Sequence, residues 1–280
     1  MKNFNNKVAA ITGAASGMGR TLALNLAAQG CHLALSDVNA KGLAETAQMV
    51  GKLGVKVTTA AVNVADRAQM EAWADQVVGD HGRVNLLFNN AGVALGATID
   101  IVKPEDFEWI MGINFWGVVW GTKAFLPHLK AAGEGHIVNT SSLFGLLAVP
   151  TQGTYNASKF AVRGFTEALR QELDMEACGV SATCVHPGGI RTNIAMAARI
   201  DPSMAAKTGI DAEAARKRFD QLLNTTSADS AAKQILRAVQ RNQRRVLVGP
   251  DAKFLDKVVR LFGASYQPLT TWFAKKGMMG

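Results

Sequence analysis

The stretch from Lys7 to Gly30 constrains the fold most tightly. Lys7 to Thr12 is a short apolar run without alternation, the pattern of a central parallel strand covered on both faces. Gly13-Ala-Ala-Ser-Gly17-Met-Gly19 follows at once, and Arg20 to Gln29 carries Leu22 and Leu26 at helical spacing before Gly30 closes the segment. A strand that passes through glycines straight into a helix brings backbone close to a ligand and points helix N–H groups at it, which suits a phosphate. The G-x-x-x-G-x-G spacing differs from the G-x-G-x-x-G dinucleotide fingerprint, and a tight turn without a ligand would read the same way.

The rest of the chain repeats the alternation. Strands are expected at His32 to Ser36, Val55 to Val62, Val84 to Phe88, Gly135 to Thr140, Val180 to His186 and Arg245 to Val248. Helices are expected over Ala40 to Leu53, from Asp66 to His81, from Pro104, from Asn114 to Lys130, through Tyr155 to about Ala177, and from Ala228 to Arg241. Strand–helix alternation predicts an α/β fold, a doubly wound parallel sheet with helices on both faces and right-handed crossovers. One Rossmann-like domain over residues 1–250 is the simplest account, with 191–227 as an irregular, partly helical insertion and 251–280 as a tail.

Composition excludes other classes. Across 280 residues, 48% hydrophobic and 19% charged content is that of a globular chain. No apolar run reaches the ~18 residues of a membrane span. The first apolar run is already the first strand, so a cytoplasmic, soluble protein is expected. Cys31, Cys178 and Cys184 form no C-x-x-C pair and no ligand spacing with the histidines, so neither a disulfide framework nor a metal site is expected. Of the formal charge of +8, most comes from Arg241 onward, where eight basic residues face Asp251 and Asp256. No nucleic-acid reading element accompanies them, so no nucleic-acid partner is expected.

Chemistry concentrates between Gly135 and Val162. Tyr155 and Lys159 stand four apart and share one helix face. An ammonium beside a phenol favours the phenolate, which makes the pair an acid–base device; Ser142, at the end of the preceding strand, offers a hydroxyl. A half-buried tyrosine next to a snorkelling lysine is the plainer reading of the pair alone. Asp37 ends the second strand about 20 residues past the glycines, where an acid can accept from adenosine ribose hydroxyls and repel a 2′-phosphate. No Arg or Lys stands at Ser16, Val38 or Asn39, which favours NAD over NADP. Asp37 could equally cap the helix from Ala40.

Taken together, Thr12-Gly13-x-x-x-Gly17-x-Gly19, Asn89-Asn90-Ala91-Gly92, Asn114, Ser142, Tyr155-x-x-x-Lys159 and Pro187-Gly188 with Thr192 resemble, in this order, the short-chain dehydrogenase/reductase family in its usual-length branch. The resemblance covers roughly residues 5–250. It implies Tyr155 as general acid/base, Lys159 as the group that lowers its pKa and bonds the nicotinamide ribose, Ser142 as the substrate-oxygen donor, and Asn114 as anchor of a water relay. It implies a cofactor passed by Gly13, Ser16, Gly17, Met18 and Gly19 at the phosphates. Asp37, Asn63, Val64, Asn90, Ala91 and Gly92 would take the adenosine and ribose side, and Pro187, Gly188, Ile190 and Thr192 the nicotinamide. Asn63 stands where the family usually has Asp, so altered adenine contacts are expected. A homotetramer or dimer through the helices from Asn114 and Tyr155 is implied as well.

The uncharged loop Leu143 to Pro150, with Val93, Ala94, Leu95, Ile194, Met196, Ile200 and Met204, is expected to wall an apolar pocket. The expected reaction is therefore hydride transfer between NAD and an apolar secondary alcohol or ketone, with Arg191 and Arg199 as the residues that would suit a hydroxy acid instead. An NADP-dependent carbonyl or ketoacyl reductase and a non-catalytic nucleotide-sensing protein are the alternatives. The tail reads as a basic amphipathic helix, Phe254 to Phe262, followed by Tyr266, Trp272 and Phe273. Packing on a neighbouring subunit or closing the pocket mouth is its first reading, peripheral contact with an anionic membrane its second.

Overall fold

The computed structural model describes residues 1–222 and 225–279. Seven strands form one parallel sheet: β1 Val8–Thr12, β2 His32–Asp37, β3 Val57–Ala61, β4 Leu86–Asn89, β5 Gly135–Thr140, β6 Val180–Pro187 and β7 Arg245–Val248. Their order is β7-β6-β5-β4-β1-β2-β3. The order reverses between β1 and β4, so a crevice opens at the carboxyl ends of these two strands, the place where such sheets take ligands.

Both faces of the sheet are apolar because both are covered. In β1, Ala9 and Ile11 belong to one core cluster with Leu22, Leu26, Phe88 and Ile235, while Val8 and Ala10 belong to another with Met70, Trp73, Phe125 and Leu129. Successive side chains of a strand point to opposite faces, so an unbroken apolar run is what a sheet between two helix layers requires. Phe125, fully buried, meets the Trp73 ring edge-on at 5.1 Å; burial of that size stabilises by about 2–3 kcal/mol.

Two local expectations change. The helices expected from Pro104 and from Asn114 are one continuous rod: Pro104–Met111, a π-helical turn Gly112–Trp116, then Gly117–Ala131. The wider π-turn joins the two expected helices and leaves Asn114 fully buried. Asp37 does not cap the following helix, Ala40–Gly51. Asn39 does, its side chain accepting from Gly42 N, while Asp37 faces the glycine turn.

The 191–227 segment is more ordered than expected. Short strands Ile190–Arg191 and Thr226–Ser227 pair with each other, Arg199–Ile200 pairs with Leu95–Gly96, and helices Met204–Thr208 and Ala212–Leu222 lie between. The expected segment includes residues 223 and 224, which lie outside the described residues, as does Gly280 at the end of the tail. No helix among the described residues is long and apolar enough to cross a membrane.

Candidate active site

A groove of about 300 Å³ lies at the switch point. Gly13, Ser16, Gly17, Met18, Asp37, Asn63, Val64, Asn90, Ala91, Gly92 and Thr192 line it. Gly13 has φ +66°, and a Cβ there would stand 2.8 Å from Ala91 Cα, so only glycine suits the turn. Gly19 does not line the groove; it lies beneath the turn, where a Cβ would overlap the Gly13 carbonyl oxygen. The helix Gly17–Ala27 starts without a side-chain cap, since Ser16 makes no capping bond, which leaves its first N–H groups able to meet a phosphate. The two strand ends are stitched: Thr12 Oγ1 accepts from Asn90 N and Ala91 N, each at 3.0 Å.

At the far side of the groove, Asp37 accepts from Ala15 N and Asn39 N, each at 2.9 Å. The nearest glycine-turn cation, Arg20, is folded away onto Ala15 O, Gly42 O, Thr46 and Glu45. Asn63 Oδ1 accepts from Ala65 N at 3.1 Å, so its amide nitrogen is the group left to face the groove as a donor.

A smaller space of about 90 Å³ continues from the groove, lined by Ser142, Tyr155, Lys159, Pro187, Gly188, Ile190 and Thr192. The helix Gly153–Glu176 carries Tyr155 and Lys159 on one buried face, and Ser142 stands two residues past the end of β5. Ser142 Oγ accepts from Phe144 N at 3.1 Å, and its hydroxyl lies near enough to the Tyr155 phenol to favour the charged form. The ammonium of Lys159 donates to Thr140 O at 3.0 Å and lies 5.6 Å from the Tyr155 ring centre. This corrects the expectation of an early-ionising phenol in the free protein. Burial pushes the Tyr155 phenol above its ordinary value, the nearby Ser142 hydroxyl pulls it partway back, and burial brings Lys159 down to about 8.

Asn114 does not line either space. Its side chain brackets Val93, accepting from Val93 N at 2.8 Å and donating to Val93 O at 3.0 Å, and donates to Ser158 Oγ at 3.1 Å. A Cβ at Gly92 would stand 3.2 Å from Asn114 Oδ1 and 3.4 Å from Lys159 Nζ, so glycine there keeps open the path between amide and ammonium.

A model of the short-chain dehydrogenase family matches residues 7–203. The chain belongs to the short-chain dehydrogenase family. It is 50% identical over 269 residues, 96% of this chain and 95% of the relative, to a Mycobacterium tuberculosis protein called SadH and named as a candidate oxidoreductase. It is 36% identical to a Cα-dehydrogenase of a Sphingobium species over 75% of this chain and 68% of that one. A Burkholderia phymatum short-chain dehydrogenase/reductase solved with NAD superposes with a TM-score of 0.86 at 31% identity, over 95% of this chain and 97% of that one. The protein is thus an oxidoreductase of the short-chain dehydrogenase family, whose neighbours take a nicotinamide cofactor.

Two residues of this short-chain dehydrogenase escaped the sequence reading. Asp251 reaches back from the helix Pro250–Phe262 and accepts from Gly189 N at 2.6 Å, clamping the turn after Pro187 and Gly188. Its signal was an acid in a first helical turn after Gly-Pro. Phe219, on the helix Ala212–Leu222, lines the smaller space with Phe144, Ala94 and Ile194. Other expected pocket walls move: Met196 is exposed, Met204 is buried away from the space, Leu95 and Ile200 pack behind Tyr155, and Leu143 and Leu147 face the C-terminal helix. Arg199 is consumed by Asp106 at 3.0 Å and by the Trp109 face at 3.6 Å, and Arg191 does not line the space.

Proposed function

We propose that the protein is an NAD-dependent dehydrogenase that interconverts an apolar secondary alcohol and its ketone. One observation carries the reading: Ser142, Tyr155 and Lys159 share a small space walled by Phe144, Phe219, Ala94 and Ile194, continuous with a groove that ends at Asp37. The uncapped helix start and the groove fit a dinucleotide. The nicotinamide, when bound, would supply the hydride acceptor or donor.

In oxidation, Tyr155 takes the hydroxyl proton of the substrate, and Ser142 holds the same oxygen beside the phenol. In reduction, the phenol returns that proton. Lys159, whose ammonium lies 5.6 Å from the Tyr155 ring centre, stabilises the phenolate by its charge, and the Gly92 gap lets Asn114 and Lys159 share a water on a path to solvent. Asp37 accepts from ribose hydroxyls and repels a 2′-phosphate; with Arg20 engaged elsewhere, nothing at the glycine turn welcomes one. Gly13, Gly17 and Gly19 shape the phosphate turn, Asn63, Val64, Asn90, Ala91 and Gly92 hold the adenosine and ribose side, and Ile190 and Thr192 orient the nicotinamide. Exposed Trp116 and Phe160, on the helices that the family pairs between subunits, support a homo-oligomer; light scattering reads it directly.

The test is turnover with NAD and with NADP across secondary alcohols of rising bulk and several hydroxy acids. NAD-dependent rates that grow with apolar bulk are expected. Preference for NADP or for a hydroxy acid would overturn the cofactor or the substrate assignment.

A further inference from the structure

The two C-terminal helices, Pro250–Phe262 and Gln267–Met279, divide their surfaces sharply. On the first, Ala252, Leu255, Asp256 and Val259 recur at helical spacing and face inward. Both acids of the tail are spent there: Asp251 on Gly189 N, and Asp256, buried, on Arg245 at 3.2 Å and Arg260 at 2.8 Å. The outer face therefore carries no carboxylate. It presents Phe254, Leu261 and Phe262, exposed by 60% or more, with Lys253 and Lys257 between them. The second helix adds exposed Leu269, Trp272 and Phe273 and the exposed Lys275. None of Lys253, Lys257 and Lys275 forms an ion pair among the described residues.

Large exposed apolar side chains interleaved with unpaired cations form a poor face for a two-fold contact with a second copy, because such a contact pairs this face with itself and the face carries no carboxylate to meet the lysines. They match a surface that is anionic at its headgroups and apolar below them. We propose that this face docks the protein on an anionic phospholipid bilayer. The inference does not depend on the reaction assigned above. It does place the active site usefully: Tyr266 Oη accepts from Ala148 N at 2.8 Å, and Phe144 packs against the tail on one side and Tyr155 on the other. A bilayer on the outer face would lie one helix away from the loop that walls the catalytic space.

Co-sedimentation of the full chain with phosphatidylglycerol-containing vesicles tests this, with phosphatidylcholine vesicles as control. Pelleting with the anionic vesicles alone, weakened by salt, is expected. Lys253→Gln with Lys257→Gln should weaken partition about fivefold per lysine, and Leu261→Ser with Phe262→Ser should abolish it, with far-ultraviolet dichroism and NADH binding unchanged as proof of folding. Failure of the folded wild type to pellet, equal pelleting with neutral vesicles, or a drop in oligomer size for the Leu261→Ser/Phe262→Ser protein without any vesicle binding by wild type would overturn the proposal, the last by assigning the face to a subunit contact.

Discussion

Replacing Gly188 by alanine should damage the protein through a single neighbour. The new Cβ would overlap the Asp251 carboxylate, and that carboxylate holds Gly189 N at 2.6 Å. Gly188 does not have positive φ, so no backbone strain enters. To admit the methyl group the carboxylate must leave, and the lost charge-assisted bond with a buried N–H costs about 1.5–3 kcal/mol. Asp251→Ala loses the same bond and should cost about the same, toward the lower end because Asp251 Oδ1 has no hydrogen-bond partner in the folded chain. The two lesions are one lesion, so the double variant should be little worse than either alone, with a coupling of about 1.5 kcal/mol or more. Urea unfolding followed by tryptophan fluorescence gives the three values, and NADH binding should weaken in step, since the clamped turn leads to Ile190 and Thr192. Losses that add to within about 0.5 kcal/mol would show that Gly188 and Asp251 act independently and would refute the clamp.

Other consequences follow from the site and the core. Because burial holds the Tyr155 phenol above its ordinary value, oxidation, which needs the phenolate, should rise with pH while reduction falls; an oxidation rate flat from about pH 7 to about pH 9.5 would contradict this. Burial lowers His136 to about 3 and His186 to about 4, so the unfolded chain takes up protons that the native rings refuse, and stability falls as pH drops below about 6.5. Thr183 gives its proton to Gln243 O, so the neutral His136 ring must donate from Nε2. Each ring should contribute about 2 kcal/mol of loss by about pH 5, and His136→Gln should remove about half of the slope in urea titrations; an unchanged slope would exclude His136. Asp37→Ser should lower the preference for NAD over NADP at least about tenfold by removing repulsion of a 2′-phosphate, read from kcat/KM with both cofactors; an unchanged ratio would remove Asp37 from cofactor selection.

The strands were legible as short, mostly apolar runs alternating with helices; the expected spans Gly135–Thr140 and Arg245–Val248 match residue for residue. The residues around the crevice were legible too, since the glycines, Asp37, Ser142, Tyr155 and Lys159 carry chemistry at fixed distances from strand ends. What escaped depends on packing between segments distant in sequence. The π-turn that joins the two expected helices and buries Asn114 leaves no mark in local propensity. The aim of the Lys159 ammonium at Thr140 O, the reach of Asp251 over more than sixty residues to Gly189, and the entry of Phe219 into the space beside Tyr155 are tertiary facts. Asn139 is another case: it accepts from Asn89 Nδ2 at 2.8 Å and donates to Thr166 Oγ1 at 3.0 Å, a buried chain that fastens the Tyr155 helix to the sheet, and its sequence looks like any strand polar residue.

The measurement that bears most directly on the account is formation of reduced nicotinamide by wild type and Tyr155→Phe, with NAD and a bulky apolar secondary alcohol. The phenyl ring keeps the packing against Phe144 and removes only the ionisable hydroxyl. The account predicts wild-type turnover, a loss of about 100-fold or more in the variant, and unchanged NADH binding. Equal turnover by the two proteins would contradict the assignment of Tyr155 as the group that moves the proton.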